Sequence, residues 1–320
     1  MYLSADAQSW QKIHNKAIVV DTHNDIISVC LEKGYSFDQD LNGKTQSDLA
    51  RMKKGGLDAQ VFSIFCDGEK KNPYQFANRE IDTLYAWIKR NPASMQLVAT
   101  PQELSNAVKN HRLASMLGVE GGHMIENDLQ KLDSLYDRGV RYMTLTWNNN
   151  NDWATSAEYE SGNQKNNKDS VTRKKGLTDL GKNVVKRMNK LGMMVDLSHV
   201  GDQTFWDAIA ISSKPVLVSH SDCYALCPVY RNLKDDEIRA VGKNGGVIQL
   251  NFYPVFLDST VGRKQHTFLK KHKAERDSLR QSGMKNFEVD NLFKVKYKEE
   301  MEDLQAPFSL LFDHMQHVIN

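Results

Sequence analysis

The feature that most constrains this chain is a series of seven short apolar runs, each closed by residues able to do chemistry. Ala17–Val20 leads into Asp21-Thr22-His23-Asn24-Asp25, Ala59–Phe65 ends at Cys66, and Leu113–Val119 ends at Glu120-Gly121-Gly122. Val140–Thr146 ends at Trp147, Met193–Leu197 at Ser198-His199, Pro215–Ser219 at His220, and Val247–Asn251 at Phe252-Tyr253. Runs this short, apolar on both faces, read as buried parallel strands.

Helical patterns separate the runs. Thr100-Pro101-Gln102-Glu103 predicts a capping box with proline in the first turn. Leu129, Leu132, Leu135 and Tyr136 recur at helical spacing before Gly139, as do Leu180, Val184, Met188 and Leu191 before Gly192. Ser47 is read as opening a helix closed by Gly55-Gly56, and Asp235-Asp236 as opening one closed by Gly245. Strand and helix in alternation predict a parallel sheet with right-handed crossovers. No GxGxxG follows the first run, and polar residues gather just past the strand ends, where (β/α)8 barrels build their active sites. A TIM-type α/β barrel is therefore favoured over an open doubly wound sheet. The chain, 1–320, is read as a single barrel domain with a charged helical insertion around 258–306 and no eighth strand before Asn320.

Composition excludes several classes. Lys+Arg 42 against Asp+Glu 40 gives a net charge of +2, which argues against a nucleic-acid partner; the basic stretch 263–275 is read as a solvated helix face. No apolar run reaches the ~20 residues of a membrane span, so membrane anchoring is not indicated. The opening MYLSADAQSW lacks the pattern of a secretory signal. The chain reads as cytoplasmic as given, or exported if a signal was removed. Cys30, Cys66, Cys223 and Cys227 form no CxxC pair and read as buried, inert thiols.

The chemistry-bearing residues at strand ends are His23 and Asp25, Glu120, His199 and His220. Imidazoles mixed with carboxylates suit zinc and similar divalent ions. Five such groups exceed the needs of one tetrahedral ion with an open position and suit two ions sharing a bridging carboxylate. In His23-x-Asp25 both side chains leave a strand on one face, which makes this pair the most specific local signal. His123 is read as a neighbour of Glu120; His14, His111, His266 and His272 take the ordinary reading of helix or loop histidines, and His314 and His317, at helical spacing, are read as a solvated helix face. No nucleophilic-serine elbow and no P-loop is present. Arg231, a short loop beyond His220, reads either as a grip for a substrate carboxylate or as an ordinary surface arginine.

These motifs in order, Asp21–Asp25, Gly118-Val119-Glu120-Gly121-Gly122-His123, Asp196-Leu197-Ser198-His199, Ser219-His220-Ser221 and Arg231-Asn232, resemble those of the membrane (renal) dipeptidase family of zinc peptidases. The resemblance runs from about Ala17 to about Tyr253, and Gly56–Gln60 fits it too. It implies a metal-dependent hydrolase barrel holding two Zn2+ ions, with His23 and Asp25 on one, His199 and His220 on the other, and Glu120 as the bridging, catalytic carboxylate. It implies Arg231 on the substrate carboxylate, dipeptides as substrates, and hydrolysis by a metal-bridged hydroxide. A homodimer is admitted. Two departures stand out. The family's histidine after Thr-Leu-Thr is here Trp147, and Trp147 and Asn148 are read as substrate-binding, one of Asn148–Asn151 replacing the lost donor. The family's eighth-strand aspartate has no counterpart before Asn320. The alternatives are another dinuclear-metal hydrolase acting on a lactone, ester or deaminable ring, or a catalytically impaired metal-binding fragment.

Overall fold

The computed structural model describes residues 7–162, 174–284 and 286–320. Its strands are β1 (Val20–Asn24), β2 (Ala59–Phe65), β3 (Met95–Leu97), β4 (Leu113–Glu120), β5 (Val140–Thr144), β6 (Met194–Asp196), β7 (Leu217–Val218) and β8 (Val247–Ile248). All pairings are parallel, in the order β1-β2-β4-β5-β6-β7-β8. This is the predicted α/β fold, a half-barrel of seven parallel strands of the TIM type. The unforeseen β3 lies beside the path: it pairs with Leu113–Ser115 of β4, and β5 takes that edge from Leu117 onward. Three residues with a polar centre, Met-Gln-Leu, carry no strand signal of their own.

Several runs depart from their predicted bounds. The first strand is the polar segment Val20–Asn24 itself rather than the apolar run before it. Its polar side chains are consumed locally: Asp21 Oδ1 accepts from His23 N and from Gln60 Nε2. The sixth run shortens to Leu217–Val218, leaving Ser219 and His220 beyond the ladder. Helix signals fare better. Thr100 and Glu103 form the capping box in both directions. Gly192 ends the helix Asp179–Leu191 at φ 82°, a left-handed conformation that glycine adopts without Cβ strain. The cap of the helix Leu49–Lys54 is Asp48, one residue past Ser47.

Contacts divide the chain into two compact units. The first comprises Met1–His220 with Ala240–Gln249, the second Ser221–Arg239 with Leu250–Asn320. Within the first, Val61 of β2, Tyr142 of β5 and Leu217 of β7 pack together with Met116 of β4. Side chains of strands so far apart in the ladder meet only because the sheet curves around them. The Thr22 hydroxyl of β1 donates to the Ser219 carbonyl at 2.8 Å, drawing the first strand to the end of the sixth in the ladder.

The second unit is helical. Phe268, Val289, Phe293 and Leu304 form its core, with Tyr297 and Met301 against them. His314 corrects the solvated reading. It is fully buried, its Nδ1 accepts from Cys223 N at 3.0 Å, and its Nε2 donates to Leu257 O at 3.3 Å. His317 pairs with Asp235 Oδ1 at 2.8 Å. Both side chains therefore fasten the helix Ser309–Ile319 to neighbouring segments, and His314 does so away from water. The four cysteines are free and buried; burial pushes the Cys30 and Cys227 thiols up to about 11, keeping them protonated and unreactive. Among the described residues no helix is long and apolar enough to cross a membrane.

One close approach sets the inside of the curve. Gly118 of β4 lies in register with Tyr142 of β5, and a Cβ on Gly118 would stand 2.2 Å from the Tyr142 ring. Gly118→Ala is expected to cost about 1–3 kcal/mol through overpacking, lowering Tm by several degrees in a thermal melt. An unchanged Tm would mean that the ring is not held there.

Candidate metal centre

Glu120 closes β4 and is 3% exposed. Three imidazoles surround its carboxylate. His23 Nε2 lies 3.3 Å from Oε2, His199 Nε2 2.8 Å from Oε1, and His220 Nε2 3.5 Å from Oε1. His199 and His220 bring their Nε2 atoms within 2.9 Å of each other, and the rings of His23 and His220 stack at 3.8 Å. Asp25 Oδ1 is buried 3.3 Å from His23 Nε2 without forming a hydrogen bond. The five residues expected from the strand ends are thus brought together, and His23, Glu120 and His220 form a group able to hold a metal ion.

The other ring nitrogens explain the orientation. The Tyr142 hydroxyl donates to the Thr22 carbonyl at 3.0 Å, so its oxygen is the acceptor for His23 Nδ1–H at 2.9 Å. The Ser219 hydroxyl donates to Asp196 Oδ2 at 2.7 Å, so its oxygen accepts from His220 Nδ1–H at 2.8 Å. Asn148 Oδ1 accepts from His199 Nδ1–H at 2.9 Å. In each neutral ring the proton therefore sits on Nδ1 and the Nε2 lone pair points at Glu120. Lone pairs and a carboxylate converging in one buried pocket demand a cation between them. Such outward hydrogen bonds are the partners metal-bound histidines ordinarily have.

Ionisation tells the same story. Burial pushes the Glu120 carboxyl up, but the neighbouring His23, His199 and His220 overcome this and hold it well below the usual range. Burial works against a charged His23, yet Tyr142, Glu120 and Asp25 outweigh it and raise that imidazole well above its ordinary value. Burial, joined by the charge of His23, drives His220 well below.

Local conformation is bent to this arrangement. Asp25 occupies the N-cap position of the helix Ile26–Lys33 but makes no side-chain cap, because its carboxylate turns toward His23. His199 is held at φ 65°, its carbonyl accepting from the Thr146 hydroxyl at 3.1 Å and Ala157 N at 2.8 Å. A β-carbon residue in the left-handed region marks a site where surrounding contacts override backbone preference.

Other expected residues fall as follows. Trp147 lies beside the cluster, its ring 6.4 Å from that of His199 and 5.0 Å from Phe65. The asparagine run builds the loop: Asn150 Oδ1 accepts from Ser156 N, and Asn151 bonds to Leu145 O, Trp153 N and Ala154 N. His123 Nε2 donates to the Cys66 carbonyl at 3.0 Å, its Nδ1 is buried without a hydrogen-bond partner, and burial lowers its basicity. Arg231, in the second unit, is buried; its guanidinium donates to Ser221 Oγ at 3.2 Å and lies over the Phe256 ring.

Sequence reasoning did not assign the supporting roles of Tyr142, Asp196 and Ser219. Asp196 is fully buried and accepts from Ser198 N, Ser219 N, the Ser219 hydroxyl and the Thr144 hydroxyl. A charged residue inside the apolar run Met193–Leu197 was the available signal. Glu80, on the helix Pro73–Arg90, was missed too. It is fully buried with neither carboxyl oxygen hydrogen-bonded, and burial, reinforced by Asp25 and Glu120, holds it well above the ordinary range.

A curved parallel sheet with imidazoles and carboxylates converging past its strand ends defines a metal-dependent hydrolase of the barrel type. The sequence model described as membrane dipeptidase, peptidase family M19, matches residues 7–320, so the chain belongs to that family and is a metallo-dipeptidase. Among solved structures it is similar to the probable dipeptidase PvdM from Pseudomonas aeruginosa, with 22% identity, 99% of this chain and 84% of that chain covered, and a TM-score of 0.76. The M19 metallopeptidase called dipeptidase AC aligns at 24% identity over 75% of this chain and 73% of that one, with a TM-score of 0.65. A metallopeptidase from Rhodobacter sphaeroides, liganded with a phosphinate mimic of the dipeptide L-Ala-D-Ala, aligns at 21% identity over 75% of each chain, with a TM-score of 0.62.

Removing the Asp196 carboxylate strands several buried donors at once. Asp196→Ala is expected to destabilise the protein by on the order of 3 kcal/mol, read as a lowered urea midpoint. A change below experimental scatter would show that the network contributes nothing to folding.

Proposed function

We propose that His23, Asp25, Glu120, His199 and His220 hold two zinc ions and that the chain hydrolyses the peptide bond of dipeptides there. The observation that carries this reading is the presentation of three Nε2 lone pairs to one buried carboxylate, each fixed by a hydrogen bond at Nδ1. The donor set, imidazole nitrogen with carboxylate oxygen, suits zinc. His23 and Asp25 would hold one ion, His199 and His220 the other, and Glu120 would touch both. Bound divalent ions supply Lewis-acid polarisation of a carbonyl and a water of lowered pKa.

The chain's own residues do the rest. Tyr142, Asn148 and Ser219 keep the three imidazoles in one tautomer, so no ring needs to reorient when a substrate arrives. Asn148 acts through His199, and Trp147 offers its indole N–H and ring face beside it. The family resemblance assigns Arg231 to the free carboxylate of the dipeptide, and a bidentate pair with it would select short peptides over internal bonds of long chains. The dipeptide mimic held by the Rhodobacter sphaeroides enzyme supports this substrate class.

Dipeptide hydrolysis should vanish on exhaustive chelation and return with zinc. Glu120→Ala should lose more zinc than His123→Ala, since a shared ligand serves both ions. Equal zinc loss, measured by elemental analysis, would remove Glu120 from its shared position. Arg231→Ala should raise KM for dipeptides about tenfold or more, as expected for a charge-assisted pair, and leave amidated dipeptides unaffected. Equal losses on both substrates would take Arg231 out of carboxylate binding.

A further inference from the structure

We propose that Phe65 and Trp147 form an apolar subsite that selects dipeptides carrying an aliphatic or aromatic side chain. The proposal rests on the reading of the site as a dipeptidase centre and names what its flank recognises.

Phe65 is the last residue of β2 and lies in register with Glu120 of β4. Partners in a parallel ladder project to the same face. Phe65 also stands four residues beyond Val61, whose side chain is inside the curve with Tyr142 and Leu217. With a two-residue period, Phe65 therefore projects inward, at the level of the Glu120 carboxylate. Trp147 follows β5 by three residues, and its ring closes on Phe65 at 5.0 Å with the planes tilted by 59°. The far side of Trp147 meets His199, ring to ring, at 6.4 Å.

The pair thus makes one continuous aromatic surface between the end of β2 and the imidazoles. Neither ring is fully buried, although their neighbours Ile64 and Leu145 are. A partly exposed pair of large aromatics next to a polar centre presents the kind of surface an apolar group covers on binding. The asparagines that follow Trp147 are engaged: Asn148, Asn150 and Asn151 spend side-chain groups on His199 and the loop backbone. On this flank a substrate side chain meets ring faces. A carboxylate there would lose hydration without a cationic partner on the wall itself, so acidic side chains are discriminated against.

The test compares the wild-type protein, Phe65→Ala, Trp147→Ala and Trp147→His, each loaded with zinc. Rates are measured on two series, Gly-X and X-Gly, with X as Leu, Phe or Asp. In one series the wild type should favour Leu and Phe over Asp at least tenfold, and each variant should reduce that ratio about tenfold, whatever its absolute rate. Comparable melting curves exclude unfolding as the cause, and the histidine variant retains a ring should the alanine variant misfold. A uniform drop across all X overturns the subsite while leaving the dipeptidase reading intact. If the wild type cleaves no dipeptide, that reading fails, and the subsite is then judged by calorimetry with phosphinate dipeptide mimics bearing methyl or benzyl groups. Tighter binding of the benzyl compound by the wild type alone supports it; equal affinity overturns it.

Discussion

The buried carboxylate of Glu120 is the constraint around which the rest of the first unit is arranged. A carboxylate removed from water must be matched by positive charge or by donors. Here the surrounding atoms are three imidazole nitrogens whose protons are committed elsewhere, to Tyr142, Asn148 and the Ser219 hydroxyl. Those commitments reach further: Tyr142 is fixed on Thr22, and Ser219 on Asp196, which also ties in Thr144 and Ser198. Five strand ends, those of β1, β4, β5, β6 and β7, are joined through one polar network, and its centre calls for a cation. Shape and charge therefore express the same requirement.

Several local rules are broken in service of that centre. An aspartate at a helix N-cap leaves its cap unmade, a histidine adopts a left-handed backbone, and a glycine is required where a tyrosine ring crosses the sheet. Each departure gives up a small local preference. Their coincidence at one end of the sheet distinguishes a site under functional demand from a packing defect.

Much of this was legible in the amino-acid sequence. The apolar runs reported a parallel sheet because buried strands carry their signal on both faces, and His23, Asp25, Glu120, His199 and His220 stood out as polar groups where such strands end. The strands whose signal was weak were misplaced: Met95–Leu97 is too short to show a period, and Val20–Asn24 is polar because its side chains bond to neighbouring strands. The supporting roles of Tyr142 and Asp196 are not legible locally, because they depend on partners distant in the chain. His314 was misjudged for the same reason; its two ring nitrogens are satisfied by Cys223 and Leu257, which no local spacing reveals.

The central claim is that the Glu120 cluster holds a pair of metal ions. Anomalous diffraction from crystals of the zinc-loaded protein, recorded on either side of the zinc absorption edge, tests it most directly. The account predicts two zinc peaks flanking the Glu120 carboxylate, one beside His23 and Asp25 and the other beside His199 and His220. A single peak, or zinc bound away from Glu120, would contradict it.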